Sequence, residues 1–96
     1  MSGKIEGTVV SISESGNLVT DIATDRLRNV PCDERTSVTC DEHQTIGLFD
    51  ETHKEPEFTL LALLGASGKL ELVIVGDSAA DMLGIRKGEK VVVTWQ

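Results

Sequence analysis

The side chains that could act as soft metal ligands or thiol nucleophiles are four: Cys32, Cys40, His43 and His53. Cys40 and His43 are separated by two residues, a spacing that can chelate zinc, but the other intervals are irregular and no Cys-x-x-Cys knuckle accompanies them. No metal site is therefore expected: Cys40 ends a strand as a small hydrophobe, and both histidines are solvated in acidic loops. Nucleophilic or phosphoryl-transfer chemistry has no better footing. The chain carries no ordered Ser/His/Asp set, no glycine-rich phosphate cradle and no pair of carboxylates on one rigid element. What remains is Asn17 in the stretch "SGNLVTDI", which serves either as the left-handed residue of a tight turn, a position asparagine tolerates well, or as a contact to a ligand. Glu71 alternates outward from Leu70 and Leu72 and is expected as a solvated strand glutamate.

The elements that would hold these residues are mostly strands. Period-two alternation sets Thr8, Val10 and Ile12 against Val9 and Ser11. It sets Leu18, Thr20 and Ile22 against Val19 and Asp21, Leu70, Leu72 and Ile74 against Glu71 and Val73, and Val91, Val93 and Trp95 against Val92 and Thr94. Residues 36–40, 44–49 and 58–64 are weaker strands, the last apolar on both faces and so expected to be central and buried. "SGN", "SGK" and "KGEK" place glycine where hairpin turns require positive φ. One segment has helical spacing, "GDSAADMLGI": Asp77 or Ser78 caps it, Ala79, Met82 and Leu83 share a face, and Gly84 stands at the C′ position. A short turn over 24–29, capped by Thr24, and a charged loop over 50–57 complete the chain. The fold class is mostly β: one domain spanning 1–96, a small closed or partly closed β-barrel of about six or seven strands with one short helix.

Ninety-six residues suffice for one core and leave no room for a catalytic domain beside a separate binding domain. Sixteen acidic against nine scattered basic residues, a net charge of −7, exclude a clustered cationic face, so neither nucleic acid nor an anionic membrane is an expected partner. The N-terminal "MSGKIEGTVV" has no apolar signal-peptide core, and the longest apolar run is far shorter than the roughly 18 residues of a membrane span. A cytoplasmic protein with reduced cysteines is expected.

Two blocks, "GTVVSISESGNLVTDI" and "FTLLALLGASGKLELVIVGDSAADMLGIRKGEKVVV", resemble the C-terminal domain of the S-adenosyl-L-methionine hydroxide adenosyltransferases and related fluorinases. The first is similar to that family's run of Ile-Asp, Phe-Gly-Asn and Thr-Asn-Ile. The second resembles its Ser-x-Gly, Leu-Glu-Ile-Ala and Gly-x-Ala-Ala-x-x-Leu-Gly. The resemblance places Asn17 where the family's asparagine hydrogen-bonds adenine, puts Ser67 and Gly68 in the turn near the methionine carboxylate, and leaves the backbone of Gly76 and Asp77 for contacts to adenine. It also exposes departures: Ser13 replaces the aspartate that holds the methionine amino group, Ser15 replaces a phenylalanine packed near the nucleoside, and Ile74, Val75 and Gly76 stand where a polar asparagine is expected.

The resemblance further implies that cleavage of the sulfonium ligand depends on an N-terminal domain and that the site forms between subunits. The expected protein is thus a stand-alone, non-catalytic accessory or assembly module, a homo-oligomer and by preference a trimer. The alternative is a binding module for S-adenosylmethionine, adenosine or a nucleotide, with candidate contacts at Asn17, Ser67 and Gly76, completing the site of a separate catalytic chain of the N-terminal type. Val73, Val75 and Val92, on the second faces of their strands, are the expected contact residues of the oligomer.

Overall fold

The computed structural model of the chain describes residues 2–96 and contains seven strands, all pairing antiparallel along one sheet: β1 (Gly3–Ile12), β2 (Leu18–Ala23), β3 (Thr36–Cys40), β4 (His43–Ile46), β5 (Leu60–Leu64), β6 (Lys69–Ile74) and β7 (Lys90–Trp95). The order across the sheet is β4-β3-β7-β1-β2-β6-β5. Its two ends meet without a full ladder. Phe49 N–H donates to Ala62 O at 2.9 Å, Leu64 N–H donates to Phe49 O at 2.7 Å, and Thr45 Oγ1 donates to Leu60 O at 3.0 Å. The sheet is therefore a nearly closed barrel, a closure that spares its terminal strands most of their unpaired edge.

Long β1 makes the curvature possible. Its first six residues pair with β7 and its last few, from Val9, with β2, and a bulge between Val9 and Ser11 lies within the β2-paired half. Val9 is buried, whereas Val10 and Ile12 are 49% and 41% exposed, so the alternation marks the strand correctly but puts its larger apolar face outside. Where β2 leaves β6, a side chain replaces the missing ladder: Thr20 Oγ1 donates to Leu70 O at 2.7 Å and accepts from Ile22 N–H; on the other side of β2, Asp21 Oδ1 accepts from Thr8 N–H of β1 at 3.0 Å. The interior is filled by Val9, Leu18, Ile22, Val38, Leu70, Leu72, Val91 and Val93.

The helical segment is α1 (Ala79–Leu83), capped by Ser78 Oγ, which accepts from Asp81 N–H, and ended by left-handed Gly84. Ala79 and, beyond the helix, Ile85 enter the core, but Met82, expected to share a face with Ala79 and Leu83, is 56% exposed. Five residues are too few to keep two turns on the barrel, and the reversal at Gly84 gives the inward place to Ile85. The short turn is a 3₁₀ segment, Thr24–Leu27, with Ala23 rather than Thr24 at the cap; Thr24 N–H is taken by Gly68 O instead. Strand β5, expected as central, ends the ladder order. It is nonetheless buried, because Phe49 covers its far edge.

Cys40 lies in the core and Cys32 at the surface. Burial, then the carboxylates of Glu89 and Asp41, push the Cys40 thiol up to about 11. A folded value above that of the unfolded chain means that Cys40 favours the folded state below about pH 9 and withdraws that contribution as pH rises towards about 11. At pH 8 an alkylating reagent is expected to modify one thiol promptly and the second only after denaturant is added. Cys40→Val should reduce the fall in melting temperature between pH 9 and 11.

Gly16 has φ +87°, and a Cβ there would land on Ser78 Oγ and Cβ, whereas Gly68, with φ +83°, faces open space. Gly68→Ala is expected to cost about 1–2 kcal/mol for the left-handed backbone alone, and Gly16→Ala roughly 2–5 kcal/mol because overpacking is added. Denaturant midpoints of the two variants check the ranking.

Candidate ligand cleft

The turn from β1 to β2 is built by Ser13: its carbonyl accepts from Gly16 N–H at 2.9 Å and its Oγ from Asn17 N–H at 3.0 Å. Gly16 supplies the positive φ, and Asn17 does not have one. The expectation that Asn17 serves as the left-handed residue is therefore wrong, and its side chain is free for another task. Gly16 O accepts from Ala80 N–H at 2.9 Å, docking the turn onto the start of α1.

Between this turn, the end of β6 and the loop into α1 lies an open cleft of about 450 Å³, lined by Ser15, Asn17, Val73, Ile74, Gly76, Asp77 and Ser78. Two of the three candidate contacts, Asn17 and Gly76, thus face the same space. Ser67 is not in the lining, but one residue joins it to Asn17. Glu71 accepts from Asn17 Nδ2 at 3.2 Å on Oε1 and from Ser67 Oγ at 2.8 Å on Oε2.

Glu71 is the residue that the period-two pattern misjudges. It is only 8% exposed, not solvated. Leu63 stands directly opposite it on β5 and Leu61 opposite Val73, so these four share the outer face of the barrel, and Leu61 and Leu63 are buried there too. The chain had signalled this: a strand apolar on both faces, 58–64, must be covered on both, and its neighbour shares the cover. Gly65 makes room, since a Cβ there would strike Glu71 Oε2. No ion pair among the described residues involves Glu71, so the carboxylate is satisfied by neutral donors alone.

The wall around the cleft is acidic. Asp77 lines it, with Oδ1 accepting from Ser78 N–H at 2.7 Å, and the Glu57 side chain lies beside Gly76. Such a lining favours a neutral or cationic guest over a phosphate. Asn17 brings an amide edge to it, and Val73 and Ile74 bring apolar surface.

The four soft-ligand residues do not converge. Cys40 and His43 face each other across the β3–β4 ladder, but the thiol is in the core and His43 Nε2 lies 3.3 Å from Leu83 O. His53 is set edge-on to Phe49, with ring centroids 6.4 Å apart, and Cys32 is exposed. Among the described residues no three His, Cys, Asp or Glu side chains are grouped to hold a metal, and no helix is long and apolar enough to cross a membrane.

Compared with known proteins, residues 7–92 match the family model of the SAM hydroxide adenosyltransferase C-terminal domain. No curated protein matches the chain. Among solved structures, an uncharacterized conserved protein from Thermotoga maritima is similar at TM-score 0.75 and 21% identity, over 94% of this chain and 35% of that one. A conserved hypothetical protein from Thermus thermophilus is similar at TM-score 0.71 and 26% identity, over 92% of this chain and 34% of that one. This chain therefore spans about a third of the length of either, and what the likeness shows is the fold. A barrel plugged by a short Ala-Ala helix, an asparagine turn ahead of β2 and a match over 86 of 96 residues lead to one conclusion: the chain belongs to the SAM hydroxide adenosyltransferase C-terminal domain family.

Proposed function

We propose that the protein is an accessory module that binds an adenosyl compound, S-adenosylmethionine or adenosine, without cleaving it, and that it supplies one half of a site completed by a separate chain of the family's N-terminal type. The observation that carries this is the contact between Asn17 and Glu71 beside the cleft. An amide held by a buried carboxylate at the edge of a cleft is pre-organised for recognition, and Asn17 occupies the adenine-contacting place of the family motif. The acidic wall of Asp77 and Glu57 supports a sulfonium or an uncharged nucleoside over a nucleotide. Gly76 contributes backbone groups to the lining, and Ser67 contributes through Glu71.

A non-catalytic role is supported by how the polar groups are engaged. Asp77 is turned back onto Ser78 N–H, Ser78 Oγ caps α1, and Ser13 Oγ holds the turn. None is paired as base and nucleophile, and Ser13 cannot neutralise an ammonium as an aspartate would. The compartment that goes with this role is the cytoplasm, where Cys32 and Cys40 stay reduced.

Calorimetric titration with adenosine, S-adenosylmethionine and ATP tests the binding role. The first two are expected to bind and ATP not to. Asn17→Ala should weaken adenosine several-fold, and the protein itself should lose about 1 kcal/mol of stability as Glu71 loses a donor. S-adenosylmethionine incubated with the pure protein should release no adenosine above background. No binding of any adenosyl compound at millimolar concentration would remove the proposal.

A second role, as an oligomeric assembly module, is favoured by apolar surface. Val10 and Ile12 are exposed on β1, and Val73, Val75 and Val92 are only half-buried. A trimer is the expected state: light scattering at micromolar concentration should give about three times the mass of one chain, and the mass of a single chain would end the assembly role.

A further inference from the structure

We propose that Glu71 is the specificity-determining positioning residue of the cleft: by fixing the polarity of the Asn17 amide it selects a purine whose 6-substituent donates a hydrogen, a 6-aminopurine, over one whose 6-substituent accepts, a 6-oxopurine. This rests on the binding role proposed above and adds the residue that sets its selectivity. A carboxylate only accepts hydrogen bonds, so the Asn17 group that faces Glu71 Oε1 at 3.2 Å is the NH₂. The carbonyl Oδ1 then carries no hydrogen bond within the described residues and is left to the cleft that Asn17 lines. Turning the amide over would set Oδ1 against a carboxylate oxygen, acceptor against acceptor, at a site that is 8% exposed and so short of water to relieve the conflict.

The rest of the network keeps Glu71 itself from moving. Ser67 Oγ accepts from Lys69 N–H at 3.3 Å, which leaves its hydrogen for Glu71 Oε2 at 2.8 Å. Gly65 provides the space in which that oxygen sits. The chain of donors therefore runs in one direction, from Ser67 and Asn17 into Glu71. Replacement by the isosteric glutamine changes the direction at one end only. Ser67 still donates and orients the Gln oxygen towards itself, the Gln amide nitrogen faces Asn17, and Asn17 must turn its oxygen inward and its NH₂ to the cleft.

The test is the ratio of affinities for adenosine and inosine, measured by calorimetry on the protein and on Glu71→Gln. The protein should prefer adenosine by about tenfold, the scale of one mismatched hydrogen bond. Glu71→Gln should bring the ratio to parity or invert it, chiefly by gaining inosine affinity. Mere loosening of the structure would weaken both nucleosides alike and leave the ratio unchanged, which would overturn the proposal. Equal affinity for the two nucleosides in the unsubstituted protein would overturn it without any variant, so a Glu71→Gln protein that fails to fold does not shelter it. In that event the Asn17 side-chain NH₂, followed by nuclear magnetic resonance, is expected to exchange slowly in both free and adenosine-bound protein; rapid exchange in the free protein would refute the clamp. Binding of neither nucleoside would instead remove the binding role itself.

Discussion

Closure of the sheet is the constraint on which the other features depend. A seven-stranded sheet with one apolar face can bury that face only by curling on itself or by packing against a second layer, and the described residues supply only a five-residue helix towards such a layer. The closure runs through Phe49, which reaches β5 after Gly47 has ended β4. With β5 held from both sides, Ala62 joins the interior while Leu61 and Leu63 are buried on the other face. The bulge in β1 and the hydroxyl of Thr20 absorb the bend at the opposite side. Little of the interior is polar, and what is polar is satisfied, as the buried threonines show.

On the outside of this barrel, Glu71 does for the loops what Phe49 does for the strands. It ties the β1–β2 turn through Asn17 to the β5–β6 turn through Ser67, two turns 50 residues apart in the chain. Burying a carboxylate without a cation is costly, and a structure keeps one only where several donors point at it. Here the donors are Asn17 Nδ2 and Ser67 Oγ, one from each turn. The carboxylate thereby fixes the two turns relative to each other and to the outer face of the barrel.

Much of the architecture is determined by the sequence itself. Alternation located the strands at 18–22, 70–74 and 91–95 and the second half of β1 at 8–12, glycine placed the turns at Gly16, Gly68 and Gly88, and Ser78 and Gly84 bounded the helix, because backbone sterics and local hydrogen bonds act within a few residues. The motif around Asn17 and the Ala-Ala helix likewise carried the family, which rests on residue order. Local pattern could not say which side of a strand is covered. Val10 and Ile12 lie outside while Val9 is buried, Glu71 reads as surface and is buried, and Met82, set on one face with Ala79, is exposed while Ala79 is buried. Those outcomes follow from partners far along the chain: the bulge opposite β2, Leu63 opposite Glu71, and the reversal at Gly84. The orientation of the Asn17 side chain was decided in the same way. Its type suited a left-handed turn residue, but Gly16 already met that need, and only the approach of Glu71, 54 positions away, gives its amide a direction. Sequence periodicity reports the chain's own geometry, whereas burial and hydrogen-bond polarity are properties of what the fold brings against it.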